Sequence, residues 1–552
     1  MKSGQFQWVV ILWTVFLFHA AAAVRYVNLN GSSPTLPYTS WATAATNIQD
    51  AVDASTNGDL ILVTNGVYQS GSRLTSDGTI NRVAVTNFVT LQSINGPAVT
   101  SIDGGHALRC VYATNGAVVA GFSLTNGNAG NGGGVFSGTV SNCVLTGNSA
   151  LYGGGAYSST LDNCVLASNS ASGWGGGVYS ATLFGCTLSN NSAPFGGGSF
   201  SSALTNCTLS GNFAFAIGGG AMYGALYHCT LSSNLCGLNS ACAGGGCYSG
   251  GGAYLATLTY CTLSGNLATN GGGAALSTLN NCTLNNNWAS VGGGAESSTL
   301  NDCTLFSNTA LAGGGADSCT LSNCTLSGNS STNGGGANFS TLIDCLLTNN
   351  SAFSTGGGAG ASTLSDCLLL NNAAGSSGGG AAGSTLNNCT LAGNSAGIGG
   401  GTDHGVANNC IVYYNRAPIG QNFSSSTLNS CCSWPLPSLV SGNITNEPLF
   451  VDLAGGDLRL QSNSPCINLG DNLYATNSID LAGNPRVVGD VVDMGAYEFQ
   501  TVLSEPLSVA IQASYTNLLV GFGANFNGII RGQAATSNRW DFGDGTVVSN
   551  QL

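Results

Sequence analysis

The sequence predicts an all-β fold, a solenoid in which short strands stack coil upon coil, and three observations predict it. A unit of about 21 residues, close to S-T-L-x-N-C-T-L-x-x-N-S-A-x-x-G-G-G-A, recurs from Asn142 to Asn415. Two of its columns hardly vary: thirteen cysteines from Cys143 to Cys410 follow at steps of 21 or 22, with one step of 32, and an asparagine stands five residues after each, from Asn148 to Asn415. The return segment, S-A-x-x-G-G-G-A-x-S-S, is poor in helix formers. A period of this size means that no unit buries its own apolar face, so the core runs along the axis of the stack.

Each part of the unit has a physical reason. Cysteine and the leucine two positions later share one face of a strand, so Cys164 and Leu166 point inward together. Asn169 is expected at a bend, because asparagine tolerates a left-handed backbone and its amide bonds to neighbouring backbone groups. Cys110 and Asn115 obey the same offset. The glycine triplets, such as 153–155 and 313–315, supply the next bend, where side chains would collide. The unit also matches a leucine-rich repeat if cysteine stands for one leucine, as Leu161-x-x-Cys164-x-Leu166-x-x-Asn169-x-Ala171. Such a repeat returns through a helix or similar segment with large apolar residues of its own, which this return lacks, so the β-helix is preferred. With strands about 4.8 Å apart, the steps from Cys143 to Cys410 make a rod roughly 58 Å long.

Residues 1–23 have the layout of a secretory signal: Lys2, an apolar run at 8–18, and alanines with an expected cleavage site near Ala22 or Ala23. That run is short for a membrane span, and no later stretch reaches the roughly 18 to 20 apolar residues required. In the entry region, 24–109, the segment 45–54 places Ile48, Ala51 and Val52 at helical spacing, which reads as a helical cap over the open end of the stack. The repeats fill 110–446. Net charge is −13, and no Lys or Arg occurs between Arg109 and Arg416. Neutralising a phosphate backbone takes a basic stripe, so nucleic acid is excluded as a partner, and anionic lipid or acidic polysaccharide is disfavoured for the same reason. Asn, Ser, Thr and Gly dominate the polar positions and fit a neutral, hydroxyl-rich partner, a polysaccharide or a cell-surface glycan. The sequence calls for no cofactor and no metal.

Twenty-one cysteines in an exported chain invite a disulfide framework. The column argues otherwise: in-register parallel neighbours keep their Cβ atoms about 4.8 Å apart, beyond the usual 3.5 to 4.5 Å of a disulfide. Most are expected as buried thiols acting as small apolar core residues. Cys236, Cys242 and Cys247 lie in the lengthened step, where one local disulfide is expected; no histidine accompanies them for zinc.

Two sets of residues are candidates for a site. Two positions after successive triplets stand Phe136, Tyr157, Tyr179, Phe200, Met222 and Tyr254, giving way to Ala275, Glu296, Asp317, Asn338 and Asp403 in later coils. If the small residue before each points inward, the rings Phe136, Tyr157, Tyr179, Phe200 and Tyr254 point outward and form a row for sugar faces. The competing reading is that the rings serve one another, at about 0.5 to 1.5 kcal/mol per pair. Asp344 and Asp366 precede ladder cysteines on adjacent coils, roughly 5 Å apart, near the carboxylate separation of a retaining glycosidase. Asn163, Asn281 and Asn388 hold the same position, which points instead to corner residues. His106, His228 and His404 are scattered and are expected to be structural.

The repeat resembles the right-handed parallel β-helix proteins of the pectate-lyase-like class, and its GGGA followed by T-L-x-x-N is similar to the repeats of bacterial polymorphic outer-membrane adhesins. The run A-T-N-I-Q-D-A-V-D-A resembles the entry of secreted β-helix proteins. The resemblance implies either an adhesive or carbohydrate-binding scaffold or a polysaccharide lyase or glycoside hydrolase. Such enzymes rely on basic residues beside their carboxylates, or on a calcium-binding acidic cluster with an Arg or Lys base, and the basic-free repeats do not supply these. Residues 447–500, from Glu447-Pro-Leu-Phe-Val-Asp to Asp493-Met-Gly-Ala-Tyr-Glu-Phe, resemble the terminal coils and anchor-type region of bacterial surface β-helix proteins, which implies surface display. Trp540-Asp-Phe-Gly-Asp-Gly-Thr is the hallmark of a PKD domain, an immunoglobulin-like sandwich of which 505–552 would be the N-terminal half. The expectation is a secreted or surface-displayed, non-catalytic scaffold for adhesion or carbohydrate binding; an enzyme of the pectate-lyase-like fold and a plain structural spacer are the alternatives.

Overall fold

The structure, a computed structural model, describes residues 22–114, 116–237, 249–436 and 442–501, together with the backbone of four strands between 508 and 551. The repeats form a right-handed parallel β-solenoid of about 15 turns. One coil shows the plan. Strand Thr160–Asp162 bends at Asn163 into Val165–Ala167, bends at Ser168 into Ser170–Trp174, bends at Gly175 into Val178–Tyr179, and bends at Ser180 into the next coil. The four bend residues have φ of 50°, 56°, 68° and 54°. Left-handed backbone explains why Asn, Asp, Ser and Gly fill most of these positions along the stack. Each coil is therefore four-sided, and each strand pairs in parallel with its counterpart one coil on, as Leu161 with Leu183.

The residue after a bend points inward. After the first bend it is the ladder cysteine, which is buried with the flanking leucines in one continuous core from Val27 to Cys431. The backbone N–H of Cys164 donates to Cys186 Sγ of the next coil at 3.4 Å, and Cys282 donates likewise to Cys303. Sulfur thus receives an N–H that the corner would otherwise orphan. The last bend repeats the device with serine: Ser277 N donates to Ser298 Oγ, and Ser298 N to Cys319 Sγ. Cys319, which breaks the sequence period, is a member of this second column.

The asparagine column differs from expectation. Asn169 does not occupy the left-handed bend; Ser168 does, and Asn169 turns its amide into the core, fully buried. Its Nδ2 donates to Leu145 O and to Asn191 Oδ1, while its Oδ1 accepts from the N–H and Nδ2 of Asn148. Cys110 is also placed differently: it lies on strand Arg109–Ala113, which pairs with Val135–Phe136 on another side of the coil. The ladder position there belongs to Phe122, whose N–H meets Cys143 Sγ, so the Cys110 offset is coincidental, and Asn115 lies outside the described residues.

At the triplets a side chain has no room. A Cβ on Gly154 would come within 2.2 Å of Ser170 O, and one on Gly155 within 2.6 Å of Gly177 O. A helix, Ile48–Asp53, opens at Asn47 and buries Ile48, Ala51 and Val52 in the common core. No helix occurs in the described repeats, which removes the leucine-rich alternative.

After a last rung at Ile444, which pairs in parallel with Cys432, residues up to 501 add no further coil. Their hairpin, Phe450–Asp452 with Asp457–Leu460, turns back on the stack, and Phe450, Leu458, Leu460, Cys466 and Met494 cluster with Leu368, Ile411 and Cys432. The outward position that is threonine in coil after coil becomes Leu346, Leu368 and Ile411 where this segment lies, while Thr390 between them is kept and accepts from Ala496 N. Further on, strands Ser508–Ala513 and Phe526–Arg531 pair antiparallel, as do Ser537–Asp541 and Val547–Gln551. Cys242 and Cys247, two of the three cysteines expected in a local disulfide, lie outside the described residues.

The fourteen column thiols from Cys143 to Cys431 are buried and unpaired by disulfides. Burial also pushes the Cys110 and Cys319 thiols up to about 12, which suppresses the thiolate that reacts. Alkylation followed by mass spectrometry should leave column cysteines unlabelled in native protein and label them all in denaturant without reductant. Labelling that requires reductant would show them to be disulfides.

Candidate functional site on the outer faces of the coil

Asp302, Asp344 and Asp366 are corner residues, with φ of 54°, 53° and 51°. The proposed carboxylate pair is not laid open to a substrate. Asp366 is fully buried beneath the C-terminal segment, where Arg486 Nε stands 3.0 Å from Oδ1 and Asn477 Nδ2 donates to Oδ2 at 2.6 Å. Arg486, itself buried, also reaches Glu498 at 3.3 Å and donates to the carbonyls of Asp493 and Gly495. Asp344 and Asp366, offered in the sequence only as an alternative catalytic pair, are held differently: Asp366 fastens the segment to the stack. Asp344 is half-buried in a cleft shared with Leu346, Leu368, Leu481 and Tyr497, and burial, then the charge of Asp480, raises its pKa.

The aromatic column is real, and its geometry changes what it offers. Tyr112, Phe136, Tyr157, Tyr179 and Phe200 follow one another with centroids 5.3, 5.3, 5.1 and 5.3 Å apart and planes within 7° of parallel. The small residues beside them, such as Ala156 and Val178, point into the core, as expected. Each ring face is thus covered by the next ring, and edges are turned outward. The Arg109 guanidinium lies beside the first two rings, 5.7 Å from the Tyr112 centroid and 4.9 Å from that of Phe136. Tyr254 is withdrawn from any contact surface: it is buried in a cluster with Met222, Phe195, Phe200, Ile217 and Ala275.

A second row lies beside the first. Tyr152, Trp174, Phe195 and Ile217 each precede a triplet and stack in register. Trp174 lies 5.0 Å from Tyr152 and 5.3 Å from Phe200, and is 37% exposed. The triplets hold the two rows close, since the intervening glycines have no side chains to part them. This row was legible as the residue before each triplet, a column the period offers as plainly as the one after it.

Further along, the first row turns acidic. Glu296 and Asp317 are paired neighbours in register. Burial, and then the Asp317 charge, raises the Glu296 pKa, while Asn338 Nδ2 donates to Asp317 Oδ1 at 2.8 Å.

These features define a parallel β-solenoid with a two-row aromatic wall on its flank and a C-terminal segment strapped over its end. No family model matches the chain, and no curated protein matches it. Among solved structures it is similar to pectate lyase Pel9A, at 14% identity over 87% of this chain and 97% of that one, with a TM-score of 0.24. It is also similar to the Dettilon tailspike protein, at 11% identity over 73% and 68% of the two chains and a TM-score of 0.24. A third is the A-module of the Azotobacter vinelandii mannuronan C-5 epimerase AlgE6, at 12% identity over 69% and 94%, with a TM-score of 0.22. At such scores the likeness carries no argument about activity.

The fastening makes a pH prediction. Two buried carboxylates share one guanidinium, and burial raises Asp366 and Glu498 to about 7 each. A carboxyl whose folded pKa exceeds its unfolded value stabilises the fold most at low pH and loses that contribution as pH rises through the folded value. Thermal stability of the strapped end should therefore fall between about pH 4 and pH 7 and level off above. Differential scanning calorimetry of Asp366→Asn should show this slope flattened; an unchanged slope would mean that Asp366 is not the titrating group.

Proposed function

We propose that this protein is an exported, surface-displayed β-helix scaffold that binds a neutral polysaccharide or cell-surface glycan without cleaving it. The observation that carries the reading is the double aromatic wall: two columns of rings, running over successive coils, on a stretch of chain without one Lys or Arg. Ring edges and the exposed part of Trp174 offer a polarised, partly apolar surface to a ring-shaped polar ligand, and the one guanidinium beside the row, Arg109, is buried and paired with Asp77, which leaves an anionic polymer little to pair with. The stack repeats that surface over several successive coils, from Tyr112 to Phe200, which suits a polymer. In this reading the helix Ile48–Asp53 covers the first coil, residues 1–23 direct export, and the stretch from 505 onward serves as a PKD-type module of a surface protein. The non-catalytic part of the proposal rests on the sealing of Asp366, which removes one of the two carboxylates that hydrolysis at this position requires.

Native affinity electrophoresis through gels containing neutral or acidic polysaccharides tests this, with the polymers sized afterwards. Retardation is expected in a neutral gel, with polymer length unchanged and the effect weakened about threefold or more by Trp174→Ala with Tyr179→Ala, in line with about 0.5 to 1.5 kcal/mol per ring contact. Shortened polymer, or retardation indifferent to the double variant, would overturn the proposal.

A further inference from the structure

Beyond the aromatic wall, the same outward columns contain a notch of about 460 Å³. Its floor is two successive coils that carry Gly360 with Ala361 and Ala382 with Gly383 at the two outward positions after the triplet; in no other described coil are both so small. The coils before and after carry Asn338 with Phe339 and Asp403 with His404. From wall to wall this is three coil steps, about 14 Å.

The walls are chemically specific. Phe339 is 65% exposed and stands at a left-handed bend, φ 47°, where Ser158, Ser180, Ser201, Ser297 and Ser318 stand in other coils. An exposed ring there does nothing for the core. Asn338 spends its Nδ2 on Asp317, and its Oδ1 lies only 2.8 Å from where a Cβ on Gly360 would be, so the bare glycine is what lets that acceptor lie over the floor. Opposite, Asp403 is 4% exposed; its Oδ2 lies 2.9 Å from His404 Nδ1, and its Oδ1 has no hydrogen-bond partner among the described residues. Asp317, in the same column, is completed by the amide of Asn338 one coil on, whereas the residue one coil on from Asp403 is Ser424, which gives Oδ1 no such bond. The His404 side chain is 72% exposed, so it can turn aside and open the carboxylate.

An unpaired buried acceptor is costly unless something donates to it. Acceptors at both ends, an exposed ring on one wall and a lining without Lys or Arg call for a ligand that donates hydrogen bonds, presents an apolar face and carries no negative charge. We propose that the notch is a binding subsite for a neutral pyranose unit, stacked against Phe339 and held through its hydroxyls by Asn338 Oδ1 and Asp403. This deepens the glycan-binding reading but does not depend on the aromatic wall, which lies several coils away.

Isothermal titration calorimetry of the full-length protein with cellotriose, maltotriose and xylotriose, and with trigalacturonate as the anionic control, tests the subsite. At least one neutral trisaccharide should bind with a millimolar or tighter Kd, and trigalacturonate at least tenfold more weakly. Ala382→Tyr, which installs a side chain the fold already accommodates at Tyr157 and Tyr179, should fill the notch and weaken binding at least tenfold. Phe339→Ser, the residue native to this bend elsewhere, should weaken it several-fold with an unchanged Tm. Trp174→Ala should leave trisaccharide binding intact, which separates this site from the wall. Absence of binding by all three neutral sugars, equal binding of trigalacturonate, or full affinity in both notch variants would overturn the assignment.

Discussion

An asparagine amide brought into a protein core has two donors and an acceptor with room for two, and leaving any of them unmet costs about 1 to 3 kcal/mol. Here the amides meet that demand in one another. Each ladder asparagine gives one Nδ2 hydrogen to a leucine carbonyl of the preceding coil and the other to the Oδ1 of the next asparagine, as Asn287 does to Leu263 and Asn308. Its own Oδ1 receives the N–H and the amide of the asparagine before it. The chain begins where Gly127 N donates to Asn148 and ends where Asn422 passes its amide to the Trp434 carbonyl. All the amides point the same way, so each bond polarises the next. A coil that slipped by one residue would strand four polar groups in the core, and this constraint fixes the register on which every outer column depends.

With register held from inside, the outer positions are free to vary coil by coil, and the protein uses them as columns. One column is aromatic early in the stack, acidic in the middle and stripped to glycine and alanine at the notch. Another outward column turns from threonine to leucine and isoleucine where the C-terminal segment lies. Site and fold are written in different positions of the same unit, so the repeat can carry a binding surface without altering its core.

The period, the inward Cys and Leu, and the steric need for the triplets were all legible, because each follows from two-residue alternation and the size of a Cβ. The corner role of Asp344 and Asp366 was legible in the Asn residues that share their column. Asn169 was misplaced for a physical reason: asparagine is at home both in a left-handed bend and in a satisfied buried ladder, and only the neighbouring coil decides between them. The coincidence of Cys110 with the ladder offset could not be broken without knowing which side of the coil it lies on. The fold-back was written in the sequence as Leu346, Leu368 and Ile411 replacing threonine, a signal that gains meaning once the outward direction of that position is known. Burial of Asp366 by Arg486, 120 residues away, had no local signature.

The claim that the amide ladder holds the register is tested most directly at the Asn266 N–H, which donates to Asn287 Oδ1. Hydrogen exchange measured by mass spectrometry on Asn287→Leu, with the outward-column variant Asn285→Leu as the control, reads that bond and the coils around it. The account predicts at least a hundredfold loss of protection at Asn266 and in the flanking coils for Asn287→Leu, equivalent to about 2.7 kcal/mol, and little change for Asn285→Leu. Undiminished protection in Asn287→Leu would contradict it and leave the apolar columns alone as the determinants of register.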